Sequence, residues 1–199
     1  MRKTTTMAGD ADAYGVIILV EGLSDLYALE TLARRRGRDL DAEGVRVLAM
    51  KGATNIGHFL DHYGPRGLRA RLAGLYDAAE EGCIRRGLER AGLGPGSQVE
   101  MEELGFFRCS ADLEDELIRA LGTDEVERII EEEGELRSFR TLQRQPAQRG
   151  RSTHDQLHRF LGSRSGRKHR YGHLLANAVD LNRAPPSLDR VLAHAAGVR

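Results

Sequence analysis

A chain of 199 residues, 40% hydrophobic and 30% charged, suits one water-exposed globular domain, alone or with a helical appendage. No apolar run approaches the roughly 20 residues of a membrane span, and the first ten residues lack the apolar segment of a signal peptide. Cys83 and Cys109 offer neither a disulfide framework nor zinc-ligand spacing, so reduced thiols in a cytoplasmic protein are the expectation.

The chain opens on a polar stretch, residues 1–13, read as a disordered lead-in. Val16 to Val20 follows as a continuous apolar run rich in β-branched residues, the pattern of a strand buried on both faces. Glu21 and Gly22 end it, and Ser24-Asp25 opens a helical pattern from Leu26 to Arg36. The cations Arg34-Arg35-Arg36 suit the C-terminus of that helix. Val45 to Met50 is a second strand. A helix capped by Thr54 is expected to run to about Tyr63, stopped by Gly64-Pro65. Leu72 to Tyr76 is a third strand, closed by Asp77, with a helix from about Ala79 to Ala91.

Gly92 to Ser97 reads as a loop and Leu104 to Cys109 as a fourth strand, after which Asp112 and Glu114 open another helix. The alternation predicts a parallel α/β sheet over residues 14–122. Beyond it, residues 123–133, 135–144, 153–162, 168–182 and 186–196 read as helices, an all-helical segment over 123–199 packed on or beside the sheet. Gly162 to Gly166 is expected to be a break, and Pro185-Pro186 to start the last helix.

Formal net charge is zero, yet Ser97 to Gly134 holds 13 acids against 3 bases and Arg137 to Arg199 holds 13 bases against 3 acids. The basic half either receives a polyanion or neutralises the acidic half on neighbouring helices.

In a parallel sheet the strand ends share one edge, where ligands bind. Glu21 follows strand one, Asp77 strand three, and Asp112 with Glu114 strand four; Asp25 lies one helical turn beyond Glu21. Oxygen ligands gathered there suit a hard cation, and two cations about 3.5–4 Å apart would serve displacement at phosphorus. Most of these acids also have a structural explanation. Asp25 suits a helix start, Asp112 can cap a helix with Asp115 three residues on, and Glu80 and Glu81 can decorate a first turn. Glu21 has no such task.

Three blocks carry a family resemblance: Val20-Glu21-Gly22-Leu23-Ser24-Asp25, Gly74-Leu75-Tyr76-Asp77, and Ala111 to Ile118. Together they resemble the TOPRIM domain in the form found in the overcoming-lysogenization-defect (OLD) nucleases, a compact Rossmann-like α/β fold with a four-stranded parallel sheet. The resemblance implies a DNA endonuclease or nickase using one or two Mg2+ or Mn2+ ions. Glu21, Asp25 and Asp77 would bind metal, with Asp112 and Glu114 completing the site. Lys168, in Lys168-His-Arg170-Tyr-Gly172, resembles the family's lysine, which together with Glu21 would be catalytic and would stabilise charge at the scissile phosphate. Its plainer reading is a solvated lysine on a basic helix, although only three of the 30 basic residues are lysines. Arg167 and Arg170 would contact backbone phosphates.

The chain departs from the pattern in two places. Ala79 stands where the resemblance expects the second acid of an Asp-x-Asp pair; Glu80 or Glu81 would have to replace it as a metal ligand. No Gly-x-x-x-x-Gly-Lys-Ser/Thr loop occurs, so any ATPase is expected on a separate subunit. Other readings remain open at this point: a non-catalytic module binding nucleic acid or an ATPase partner, a nucleotidyl transferase, and an unrelated doubly wound fold. A homodimer is also left open.

Overall fold

The computed structural model describes residues 15–163 and 165–197; the expected lead-in over residues 1–13 lies outside them. Four strands, β1 (Val16–Val20), β2 (Val45–Ala49), β3 (Arg71–Tyr76) and β4 (Phe106–Arg108), form one parallel sheet in the order β2-β1-β3-β4. β1 lies inside the sheet, with Val16 paired to both Val45 and Arg71. This position explains its continuous apolar run, because both of its faces are covered. Ile17 and Leu19 join Ile56, Leu60, Ile84, Leu88 and Met101 in a core under α2 (Ile56–Tyr63), α3 (Glu81–Arg90) and α4 (Gln98–Glu103). Val16, Ile18 and Val20 face the opposite layer. Each such side chain contributes about 1.5–3 kcal/mol by leaving water.

That opposite layer holds α1 (Leu23–Arg35) together with α5 (Leu113–Leu121), α6 (Thr123–Glu132), α7 (Leu136–Gln143), α8 (Thr153–Leu161), α9 (Ser165–Ala178) and α10 (Pro186–Ala196). A single core cluster runs from the sheet into the C-terminal helices, including Leu29, Leu117, Phe160, Leu175 and Leu192. The arginines that end α1 fasten this layer. Arg35 Nη1 donates to the carbonyls of Ala176 (3.0 Å) and Val179 (2.5 Å), and Arg36 Nη2 donates to Leu181 O (2.9 Å) and pairs with Asp189. Midway along α1, Thr31 Oγ1 and His173 Nδ1 are 2.7 Å apart.

Four boundaries differ from the sequence reading. α4 lies where only loop and strand were expected; it is six residues long with a single buried side chain, Met101, and is started by Ser97 Oγ accepting from Glu100 N–H (3.2 Å). β4 is correspondingly shorter, because Leu104 ends α4 and Gly105 turns the chain at φ +90°. α2 begins after a 3-10 turn over Ala53–Asn55, and no side chain caps either element. α9 starts at Ser165, inside the expected break, so Lys168 belongs to its first turns.

Candidate active site at the carboxyl edge of the sheet

The ends of β1, β3 and β4 deliver acids to one place. β1 ends at Val20, and the N–H of Gly22 donates to Asp25 Oδ2 at 2.8 Å, fixing Asp25 at the start of α1. β3 and β4 stay together past their last pairs: Cys109 N–H donates to Tyr76 O (2.9 Å) and Ala78 N–H to Ala111 O (2.8 Å). Asp77 and Asp112 are thereby held side by side.

Lys168 anchors the cluster from α9. Its Nζ is 3.1 Å from Glu114 Oε2, and the Glu114 side chain is only 4% exposed. The other Glu114 oxygen accepts from Ser24 Oγ at 2.9 Å, and the same hydroxyl lies 3.2 Å from the Lys168 carbonyl. Ser24 thus ties α1 to both α5 and α9. Gly172, one turn after Lys168, permits this approach: a Cβ there would lie 2.6 Å from Ser24 Oγ and 2.8 Å from Ser24 O.

Burial, with repulsion between neighbouring carboxylates added to it, sets the electrostatics. Burial raises the Glu21 carboxyl; Glu80 and Glu114 add to that, while Lys168 and a hydrogen bond with Asp77 oppose it. Burial and the Glu114 charge push Asp25 up to about 6. Burial, Asp25, Glu21 and Asp112 push Asp77 up to about 8. Burial works against the Lys168 ammonium, but Glu114, Asp25 and Asp77 outweigh it and raise its pKa. Carboxylates forced to share space in this way are a site deficient in positive charge.

Asp112 is held differently. Its Oδ1 caps α5, accepting from Asp115 N–H at 2.9 Å, and its Oδ2 meets His158 Nε2 at 2.6 Å. Burial pulls its pKa upward, yet these two hydrogen bonds prevail and leave it lowered; His158 is correspondingly raised, chiefly by its bond to Asp112. The helix-cap explanation therefore holds for Asp112, and each of its oxygens carries one hydrogen bond. His158 was not singled out from the sequence, since nothing local links it to an acid 46 positions earlier.

The remaining expected site residues separate. Glu80 contributes to the field on Glu21. Glu81 turns away, paired with Arg85 (2.6 Å) and Arg108 (3.0 Å). Ala79 is exposed, and its methyl group supplies no ligand. Arg167 is 6% exposed, stacked 3.9 Å from the Phe160 ring centroid and bonded to Glu135, Ser163 and Phe160 O. Its expected phosphate contact gives way to a role inside the helical layer. Arg170 is exposed but pairs with Glu133 (3.4 Å) and Glu135 (2.9 Å). Arg140–Glu127, His154–Asp115 and Arg190–Glu102 repeat the theme. Part of the opposed charge of the two stretches is thus spent within the molecule.

An all-oxygen donor set with unmet negative charge fits a hard divalent cation. Among the described residues, however, no group of three His, Cys, Asp or Glu side chains stands in ready ligand geometry. Lys168 is the positive charge that these carboxylates face.

A parallel α/β sheet with acids at these strand ends and a helical layer behind it defines a TOPRIM-type fold. Residues 15–78 match the family model of the overcoming lysogenization defect protein-like TOPRIM domain. That match contains Glu21, Asp25 and Asp77, while Asp112, Glu114 and Lys168 lie beyond it. The fold extends further. The C-terminal region of the Xanthomonas campestris pv. campestris OLD protein superposes with a TM-score of 0.71 at 23% identity, over 94% of this chain and 95% of that one. The C-terminal region of the Burkholderia pseudomallei OLD protein gives 0.70 at 22% identity, over 92% and 97%. No curated protein matches the sequence. Among the described residues, no helix is long and apolar enough to cross a membrane.

Proposed function

We propose that this chain hydrolyses phosphodiester bonds in DNA with the help of a divalent cation. The observation that carries the reading is the gathering of Glu21, Asp25, Asp77 and Glu114 around Lys168 at the carboxyl edge of a parallel sheet. Glu21, Asp77 and the open oxygen of Asp25 would hold Mg2+ or Mn2+, and Glu80 is the acid placed to assist where Ala79 leaves a gap. The ion supplies a polarised phosphoryl oxygen and a water of lowered pKa. Lys168 places an ammonium beside the scissile phosphate and offsets charge developing on it. Glu114, held by Ser24, orients Lys168, and the His158–Asp112 pair fixes the start of α5.

The test is conversion of supercoiled plasmid in Mg2+ or Mn2+. The wild type is expected to nick or linearise it, and Glu21→Gln, nearly isosteric but neutral, to slow this by about 100-fold or more. An inert wild type, or a Glu21→Gln variant that cuts as fast, contradicts the reading.

Ala79, which cannot ligate a metal, favours a second reading, a binding module that retains the fold without turnover. It predicts salt-dependent DNA binding and no cleavage in either metal.

A further inference from the structure

Arg167 and Arg170, the residues expected to contact backbone phosphates, are both engaged by Glu135. The loop after β2 supplies another cation. Met50 N–H donates to Val20 O at 2.8 Å and Gly52 N–H to Glu21 O at 3.1 Å, so Lys51 sits on a loop bonded directly to the end of β1. Lys51 adopts φ +61°, one of only two non-glycine residues with positive φ among those described. L side chains avoid that conformation. It is imposed from outside: Asn55 Nδ2 donates to both Met50 O (2.9 Å) and Lys51 O (3.2 Å). Glycine would adopt it freely, and glycine is the very next residue. A non-glycine side chain held there by its surroundings points to use of that side chain. Lys51 is exposed, and no hydrogen bond or ion pair engages its ammonium group among the described residues.

We propose that Lys51 binds a non-bridging phosphate oxygen of the nucleic-acid strand beside the scissile bond and anchors that strand over the Glu21 edge. The inference rests on the nuclease reading and adds to it a residue of substrate binding. An ammonium on a flexible stem acts as a point charge, so it fixes position without reading sequence.

The test uses the full chain, a fluorescent DNA duplex and calcium in place of magnesium, with anisotropy followed across a salt series. Lys51→Gly removes the ammonium and relaxes the backbone. It is expected to weaken binding about tenfold and to lower the salt slope by about one, with a melting temperature equal to or above that of the wild type. Lys51→Arg should bind as the wild type does. Unchanged affinity and slope in Lys51→Gly, or a Lys51→Arg variant as weak as Lys51→Gly, overturns the inference while leaving the nuclease reading intact. A wild type with no salt-dependent affinity overturns both.

Discussion

Lys168→Met is expected to stop DNA cleavage and, separately, to destabilise the protein. Removing the ammonium leaves the Glu114 carboxylate, 4% exposed, with the Ser24 hydroxyl as its remaining partner and with Asp25 and Glu21 as acidic neighbours. Breaking a buried ion pair costs about 3–5 kcal/mol. The Lys168 side chain is 38% exposed, so solvent screens part of the pair, and a loss of about 2 kcal/mol is the scale to expect. Urea unfolding in EDTA measures it. Adding Glu114→Gln to Lys168→Met should restore most of the stability, because the stranded charge disappears, but should leave cleavage at least about 100-fold down. A Lys168→Met variant as stable and as active as the wild type would show that Lys168 is the solvated lysine its basic surroundings suggest.

Gly172→Val should produce the second large effect. Gly172 is where α9 rests on α1, and the nearest atoms to an added Cβ include the Ser24 carbonyl oxygen at 2.8 Å and Cα at 3.1 Å. A helix backbone cannot yield as a flexible side chain can, so α9 must move. Overpacking of this kind costs about 1–3 kcal/mol. Lys168, one turn away, moves with the helix, and a misplacement of about 1 Å is enough to cost 100-fold in rate. Gly172→Ala is the sharper control. In an isolated helix alanine is better than glycine by about 1 kcal/mol, so a net loss measures the contact with Ser24 alone. Denaturation midpoints and plasmid cutting well below them separate the two consequences; wild-type cutting by Gly172→Ala would argue against the close approach.

The sheet and its acidic edge were legible in the sequence because both follow from local pattern. Val16 to Val20 could be read as doubly buried from its composition, and the glycines and acids after the strands mark their ends. α4 was not legible: six residues with one buried methionine carry no period. The early start of α9 was hidden by Gly162 and Gly166, which resemble a break although helix resumes between them. Charge was the least legible property. The opposed totals of the two stretches fit a polyanion-binding face and an internally neutralised pair equally well. The packing of α8, α9 and α10 against α5, α6 and α4 shows part of that charge paired internally, through pairs such as His158–Asp112 and Arg190–Glu102. The surroundings of Asp112 were hidden for the same reason: its capping function could be read locally, but the histidine that meets its second oxygen comes from a helix distant in sequence.

Burial of Glu21, Asp25 and Asp77 beside one another is the physical basis of the proposed chemistry, since added positive charge relieves it. Titration of the metal-free protein with Mn2+, followed by the loss of the free-ion paramagnetic resonance signal, counts that charge directly without any turnover. The wild type is expected to take up Mn2+, with affinity falling at least about tenfold in Glu21→Gln and again in Asp77→Asn. A wild type that leaves all the Mn2+ free, or variants that bind it as tightly as the wild type, would contradict the account.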